Sequence, residues 1–181
     1  MTEAEFNKAC QYGNLTKAKQ LLEMNPTINN ECGFQYACIH GHLEICQLIY
    51  LINPTIDISD RHEYAFRAAS MNGHLEICQW LLKVCPTINI SVYNNEAFHK
   101  TCVERSIKVA QWLQTLKPYL YVINYNNDGS YKDYYIRSKK EVLWEQRKTL
   151  LWLASNESPN KKSLFYRIPQ DVSRYIISNY L

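Results

Sequence analysis

The sequence contains little of what marks a fibrous, disordered or membrane-bound chain. Glycine and proline number only 5 and 6 among 181 residues, and no stretch approaches the ~18 consecutive apolar residues of a transmembrane helix. The first residues, MTEAEFNKAC, carry acids where a secretory signal carries Lys or Arg followed by an apolar run. With 46% hydrophobic and 20% charged residues, the composition indicates a soluble globular protein. We expect no membrane partner.

The seven cysteines lack the spacing of a disulfide framework or a zinc site. Their number is odd, and no Cys-x-x-Cys pair occurs. Five lie in apolar helical patterns and are predicted to be buried, unreactive thiols: Cys10, Cys38, Cys46, Cys78 and Cys102. Cys32 and Cys85 are expected to be more exposed. Free thiols favour a reducing, intracellular compartment.

An internal repeat is the strongest feature that is present. Two residue types recur together at spacings of 28, 32 and 32 residues: Phe6, Phe34, Phe66 and Phe98, and Pro26, Pro54, Pro86 and Pro118. Three further sets in the same register are predicted to be buried: Leu15, Leu43, Leu75 and Ile107; Ala18, Cys46, Cys78 and Ala110; Leu21, Ile49, Leu81 and Leu113. A fixed period of this length predicts an array of stacked, similar units.

Each unit is predicted to contain two short helices joined by a turn. Gly13, Gly41 and Gly73 fall where the first helix must end and the chain turn back. The second helix, LEICQWLLKV in the third unit, has an apolar stripe formed by Leu75, Cys78, Leu81 and Leu82. Proline ends this helix, and PTIDIS or PTINIS then predicts a short extended segment leading to a polar tip.

This pattern resembles the ankyrin repeat, which has a period near 33 residues and a Gly-His turn between paired short helices. The resemblance covers residues 4–124, divided into units at about 4–30, 32–60, 63–92 and 95–124. It implies an all-α fold: an ankyrin-repeat solenoid with short fingers, followed by a helical extension over residues 125–181. The segments EYAFRAASMNGHLEICQWLL and PTINIS are also similar to the ankyrin arrays of giant DNA viruses of amoebae.

Two departures from the family pattern affect the junctions between units. The usual Thr-Pro-Leu-His at the start of the first helix is EYAF or NEAF here, so the bonds that Thr and His make between units are expected to be missing. Glu63 or Glu96 would then support the helix start through its dipole. In the fourth unit, Arg105-Ser106 stands in place of Gly-His. We therefore expect adjacent units to be held together less rigidly.

The resemblance implies binding to a protein on a concave surface made of finger tips and first helices. By register, the residues that face this surface are Tyr36, Asp60, Arg61, His62, Tyr64, Arg67, Tyr93, Asn94, Asn95 and His99. Tyr and Arg are enriched among interface hot spots, although part of this set is expected to be ordinary solvated surface. The target is not specified by the sequence, and we expect a monomer.

No catalytic residue, metal site or cofactor is predicted. The sequence lacks His-Glu-x-x-His, Gly-x-Ser-x-Gly and a glycine-rich phosphate loop. His42 and His74 belong to the repeated turn and are expected to bond backbone groups, and His40 has a similar structural role. His62 and His99 fall on the concave side, where contact with a partner is favoured over catalysis. We therefore predict that the protein is not an enzyme.

The repeat register fails after Asn124. The stretch NYNNDGSYKDYY predicts a turn-rich connector, and SKKEVLWEQRKTLLWLAS then predicts an amphipathic helix. One side of this helix is apolar and consists of Val142, Leu143, Leu150, Leu151 and Leu153. We expect this side to cover the exposed end of the fourth unit.

The last stretch, LFYRIPQDVSRYIISNYL, resembles the opening helix of an F-box. A similar element ends many poxviral ankyrin proteins and docks the Skp1 subunit of host ubiquitin ligases. The matching residues are Ile168, Pro169, Val172, Ile176, Ile177 and Leu181. The resemblance implies an alternative to capping: a viral substrate adaptor that recruits a host Skp1-like protein in the cytoplasm or the nucleus.

The charge distribution keeps a third class of function open. Residues 1–130 carry ten Lys and Arg against twelve Asp and Glu, whereas residues 131–181 carry ten against five. Several aromatic residues lie among these bases and could stack on nucleobases: Tyr131, Tyr134, Tyr135, Trp144, Trp152 and Tyr166. A helical register buries much of this aromatic set, so a solvated basic face is favoured over binding to nucleic acid.

Overall fold

The computed structural model describes residues 2–156, with side chains as far as Thr149. The chain divides into two compact units, residues 1–135 and residues 136–181. The repeat register in the sequence predicts this boundary between residues 124 and 125. The F-box-like residues, from 164 onward, lie outside the described part of the chain.

Paired helices make up the first compact unit. Their bounds are α1 Glu3–Gln11, α2 Leu15–Met24, α3 Glu31–His40, α4 Leu43–Ile52, α5 Asp60–Met71, α6 Leu75–Val84, α7 Val92–Val103 and α8 Ile107–Leu116. The first helices of successive pairs pack on one another in the order α1, α3, α5, α7, and α2 packs on α4. The predicted solenoid of four helix-turn-helix units is confirmed.

The core follows the repeat register. Phe6, Phe34, Phe66 and Phe98 are at most 2% exposed, and each contributes roughly 1.5–3 kcal/mol by burial. The small residues near the middle of each first helix are also buried: Ala9, Cys10, Ala37, Cys38, Ala69, Ser70, Thr101 and Cys102. Small side chains at these positions let successive first helices approach closely.

One of the predicted core sets on the second helices lies two positions before the residues that are fully buried. Leu15, Leu43, Leu75 and Ile107 are only half-buried, as is Leu82. The fully buried apolar residues that the stripe omitted are Ile45, Ile77 and Val109. The half-buried set occupies the first residue of each second helix, beside the turn, where the first helix covers only part of the side chain.

The segments after each proline are turns, so the predicted extended segments were wrong. Asp57 Oδ1 accepts a hydrogen bond from Ser59 N at 2.9 Å, and Asn89 Oδ1 accepts one from Ser91 N at 3.0 Å. Such side-chain bonds to the backbone two residues later reverse the chain locally. The turns direct the repeated isoleucines into the core: Ile56, Ile58, Ile88 and Ile90 are at most 7% exposed.

A β-hairpin occupies the stretch that we predicted to be an irregular connector. Strands β1 Tyr121–Tyr125 and β2 Tyr131–Ile136 form a two-stranded sheet. Asp128 Oδ1 accepts bonds from the backbone and hydroxyl of Ser130, and Gly129 takes φ +81° in the turn. The fold is mainly helical, as predicted, and a small sheet follows the helical array in place of the predicted connector.

The predicted tail helix is confirmed as α9, Lys139–Asn156. Ser138 N donates to Glu141 Oε2 at 2.7 Å, and Glu141 N donates to Ser138 Oγ at 3.3 Å, which fixes the helix start. Val142 and Leu143 are half-buried, whereas the side chains of Leu150, Leu151 and Leu153 lie beyond the described part. The capping role of α9 stays a prediction. Within residues 2–156, no helix is long and apolar enough to cross a membrane.

Candidate functional site

The repeated turn residues bond backward to the preceding unit. His42 Nε2 lies 3.1 Å from Gln11 O, and His74 Nε2 lies 2.9 Å from Ile39 O. Ser106, which stands in the His position of the fourth unit, donates from Oγ to Met71 O at 3.0 Å. The structural role predicted for His42 and His74 is confirmed, and Ser106 performs it with a different side chain.

His40 does not share this backbone contact. Its ring stacks on that of His42 with centroids 6.5 Å apart, and the side chain is exposed. The structural role that we predicted for His40, a bond to the backbone like those of His42 and His74, is therefore not found in the described part of the chain.

The core thiols are unsuited to nucleophilic chemistry. All seven cysteines are free, and Cys10, Cys38, Cys46, Cys78 and Cys102 are buried as predicted. Burial raises the pKa of Cys10, Cys78 and Cys102 to about 12, and burial together with the hydrogen bond to Cys46 holds the pKa of Cys38 well above its ordinary value. No group of three or more His, Cys, Asp or Glu side chains in the described residues could hold a metal ion.

The side chains predicted to face a partner belong to α3, α5 and α7; we call the surface that they form the first-helix face. The structure brings most of them into contact around Arg67. Its guanidinium carbon lies 5.7 Å from the Tyr64 ring centroid and 4.8 Å from that of Tyr93. His62 meets Tyr93 edge to face at 5.3 Å. Units three and four therefore share one aromatic and basic cluster.

Arg67 itself is engaged within the chain. Nε donates to His62 O at 3.0 Å, Nη2 donates to Arg61 O at 3.2 Å, and Nη1 forms an ion pair with Glu96. Only 17% of its side chain is exposed. Arg67 therefore holds neighbouring groups in place, and each of its three nitrogens already donates one hydrogen bond within the chain.

Two segments of this face have a left-handed backbone. Arg61, His62 and Glu63 have φ of 51–64°, and residues 93–95, one period later, have φ of 48–66°. Non-glycine residues in this region cost roughly 1–2 kcal/mol each and persist only where surrounding contacts hold them. Arg67 supplies such contacts, because it bonds two carbonyls of the first segment and stacks on Tyr93 in the second.

Polar groups in these segments bond to the later part of their own units. Glu63 is 8% exposed, and its Oε1 accepts from Asn89 N at 3.2 Å. Asn95, at the equivalent position, accepts at Oδ1 from the Tyr121 hydroxyl at 2.9 Å. Bonds between units are made by other residues: the turn residues His42, His74 and Ser106, and the Arg67–Glu96 ion pair. The bond of Asn95 to Tyr121 leaves Asn95 less available for a partner.

The remaining predicted residues are more open to solvent. Tyr93 is 57% exposed and Tyr36 39%, and His62, Asn94 and His99 are also exposed. Asp60 accepts from Gln35 Nε2 at 3.2 Å and forms an ion pair with Arg61 at 3.4 Å. No contact with the Arg67 cluster is found for Tyr36 among the described residues.

A family comparison matches this architecture of repeated helix pairs. The model for ankyrin repeats, which spans three copies, matches residues 6–89 and 34–126, together about two thirds of the chain. The chain is an ankyrin-repeat protein. A comparison with curated proteins found no significant match.

The face of this ankyrin-repeat protein includes three residues that sequence reasoning missed. Glu96 and Lys100 lie beside Arg67 and His99, and Tyr134 meets the His99 ring edge to face at 5.7 Å. Glu96 could have been predicted from the sequence, because its charge is opposite to that of Arg67 and the two residues are 29 positions apart, close to one repeat. Tyr134 was missed because it belongs to the unpredicted hairpin.

Proposed function

We propose that the protein is a non-enzymatic module that binds a protein target on its first-helix face. Ankyrin repeats are generally protein–protein interaction modules, and the chain belongs to that family. The carrying observation is the cluster around Arg67: its groups are held in place by the chain, and open side chains surround it. Tyr and His side chains present large, partly apolar surfaces with little rotamer entropy to lose.

The open side chains of His62 and Tyr93 support this assignment. They meet edge to face, and neither is needed for the bonds of the turn residues between units. Their backbone is held in a left-handed conformation, which costs free energy. Strained residues of this kind commonly cluster at binding sites.

A pull-down with matched variants tests the proposal. The tagged full chain, a His62→Ala/Tyr93→Ala variant and a Glu76→Ala/Gln79→Ala variant on the exposed side of α6 would be compared on the same cell extract. We expect a specific protein to be retained by the wild type and the α6 variant and lost by the first-helix-face variant. Equal retention by all three would overturn the proposal.

We also propose an alternative from the sequence of residues 164–181, that the protein is a viral adaptor for a host ubiquitin ligase. Its support is the F-box-like order of Ile168, Pro169, Val172 and Ile176. Co-expression of the full chain, and of a chain cut before Leu164, with a Skp1-like protein separates the two roles. Co-elution of the full chain alone supports the adaptor, and no co-elution ends this alternative.

We propose that the protein acts inside a cell. The support is chemical, because all seven cysteines are free thiols, a state that a reducing environment maintains. Fluorescence of a tagged chain in host cells would test it, and exclusive recovery from the medium would contradict it.

A further inference from the structure

An open depression of about 560 Å³ lies on the first-helix face between units three and four. It is lined by Arg67, Tyr93, Asn94, Glu96, His99 and Lys100. The lining comes from α5 and from α7, including the left-handed segment near the start of α7, so two consecutive units build it. We call this depression the notch.

The charges in the notch do not cancel. Glu96 is its one lining carboxylate, and that carboxylate is paired with Arg67. Lys100 lies one helical turn from both Glu96 and Glu104, yet it forms no ion pair with either. One formal positive charge, on Lys100, is therefore left for an incoming group.

The walls of the notch are suited to a short aliphatic chain that ends in an acceptor. Tyr93 offers an exposed ring, and the ring of His99 is steadied edge to face against Tyr134 at 5.7 Å. Lys100, Asn94 and His99 each carry nitrogen donors. Rings can contact methylene groups while these donors meet the charged end.

We propose that the notch receives a glutamate or aspartate side chain of the protein partner. This rests on the proposed function and adds the chemistry of the residue that anchors the partner. The carboxylate meets Lys100 Nζ, Asn94 or His99 supplies a second hydrogen bond, and the methylenes lie against Tyr93. Charge complementarity of this kind sets register and specificity at interfaces.

A phosphorylated side chain fits less well. A guanidinium group favours phosphate over a single carboxylate contact because it can bind two phosphate oxygens at once. The guanidinium in the notch is that of Arg67, whose donors already bond Glu96 and two backbone carbonyls. A singly charged carboxylate needs only the donors that are left.

Selection of peptides from a random linear library on the full chain tests this inference. Peptides selected on the wild type should share an acidic residue at one position. A fluorescent version of one such peptide, its Glu→Gln or Asp→Asn form and a phosphoserine form at that position would then be titrated. We expect neutralising the acid to weaken binding about tenfold, and the phosphoserine form to bind no better than the acidic one.

The matched variants are Lys100→Gln and Lys108→Gln, the second on the exposed surface of α8. We expect Lys100→Gln to weaken binding of the acidic peptide about tenfold and to leave binding of its neutral form unchanged. Lys108→Gln should change neither affinity. Equal melting temperatures of the variants would show that folding is intact. Tighter binding of the phosphoserine form would contradict the carboxylate anchor and identify a phosphate group as the preferred ligand of the notch.

The outcomes separate this inference from the function on which it rests. Peptides that bind the first-helix face without a shared acid, or that ignore Lys100→Gln, overturn the acidic anchor alone. Recovery of no peptide, or of peptides unaffected by His62→Ala/Tyr93→Ala, overturns the binding face and the acidic anchor with it.

Discussion

The imidazole of His74 lies 2.9 Å from the carbonyl oxygen of Ile39, 35 residues earlier in the chain. Ile39 is in the last turn of α3, where carbonyls have no partner within their own helix. The next unit therefore supplies the missing donor. The carbonyls of Gln11 and Met71 are bonded in the same way by the side chains of His42 and Ser106.

Replacing His74 with Ala should destabilise the fold. The Ile39 carbonyl loses its donor, and we expect the free energy of unfolding to fall by ~1–2 kcal/mol. Urea unfolding followed by circular dichroism measures this change. His40→Ala, at an exposed histidine without a backbone bond, should cost less than ~0.5 kcal/mol. Equal losses in the two variants would show that the bond to Ile39 contributes nothing.

Alanine at Gly41 should be more costly than alanine at Gly129. Both have a positive φ, +85° and +81°, so both variants bear a backbone cost of ~1 kcal/mol. A Cβ on Gly41 would lie 2.6 Å from the His74 ring, whereas a Cβ on Gly129 meets nothing within 4 Å. We expect Gly41→Ala to lose at least ~1 kcal/mol more in thermal or urea unfolding. A similar loss at both sites would mean that the His74 ring moves aside freely.

Stability should fall in alkaline solution. Burial raises the pKa of Cys10, Cys78 and Cys102 to about 12 from an ordinary value near 9. Above pH 9 the unfolded chain therefore releases protons that the folded chain keeps, and the free energy of unfolding declines until about pH 12. Tyr121, whose pKa burial also raises, acts in the same direction.

Urea unfolding in a reducing buffer at pH 8, 9.5 and 10.5 measures this slope. Cys78→Ala should be less stable at pH 8 but should lose less stability as the pH rises, by at most ~1.4 kcal/mol per pH unit. Ile77→Val, which removes a buried methyl group and no titrating group, should keep the wild-type slope. A wild-type slope in Cys78→Ala would argue against the raised pKa.

Arg67→Ala should loosen both left-handed segments. Without the guanidinium, the carbonyls of Arg61 and His62 lose a donor and Glu96 loses its cation, so we expect a loss of ~1–3 kcal/mol. Hydrogen exchange should accelerate in residues 59–63 and 93–96. Arg61→Ala is the control, because its side chain is 66% exposed and its ion pair with Asp60 is worth less than ~1 kcal/mol. Unchanged exchange in Arg67→Ala would remove Arg67 as the positioning residue.

The hairpin should be necessary for the stability of the fourth unit. Tyr121 stacks on Phe98 with ring centroids 4.1 Å apart and is fully buried, so Tyr121→Ala should cost ~3 kcal/mol or more. Tyr125→Ala, at a tyrosine 41% exposed, should cost ~1 kcal/mol or less. Equal melting temperatures of the two variants would contradict a covering role for β1.

The sequence predicted the parts of the fold that the repeat duplicates. The recurrence of Phe34, Phe66 and Phe98 located the core, and the Gly-His turn located the helix ends, because each copy supports the inference from the others. The hairpin has no second copy. Its strands are five and six residues long, and the alternation in YVINY and YKDYYI is weak beside a turn-rich centre.

The left-handed segments could not be predicted for a different reason. Arg61, Glu63 and Tyr93 have no intrinsic preference for positive φ, so their conformation is imposed by the fold. The register placed the candidate residues on the first helices, and their role as a binding face stays a prediction. It could not show that Arg67 is already occupied or that Lys100 is left without an ion pair, since both depend on contacts between units.

The bonds from His42, His74 and Ser106 all point toward the amino terminus, across 31, 35 and 35 residues. During synthesis, α1, α3 and α5 therefore leave the ribosome before the side chain that bonds a carbonyl of their last turn, and water hydrates that carbonyl until then. Each of these three junctions can close only after the following unit has been translated.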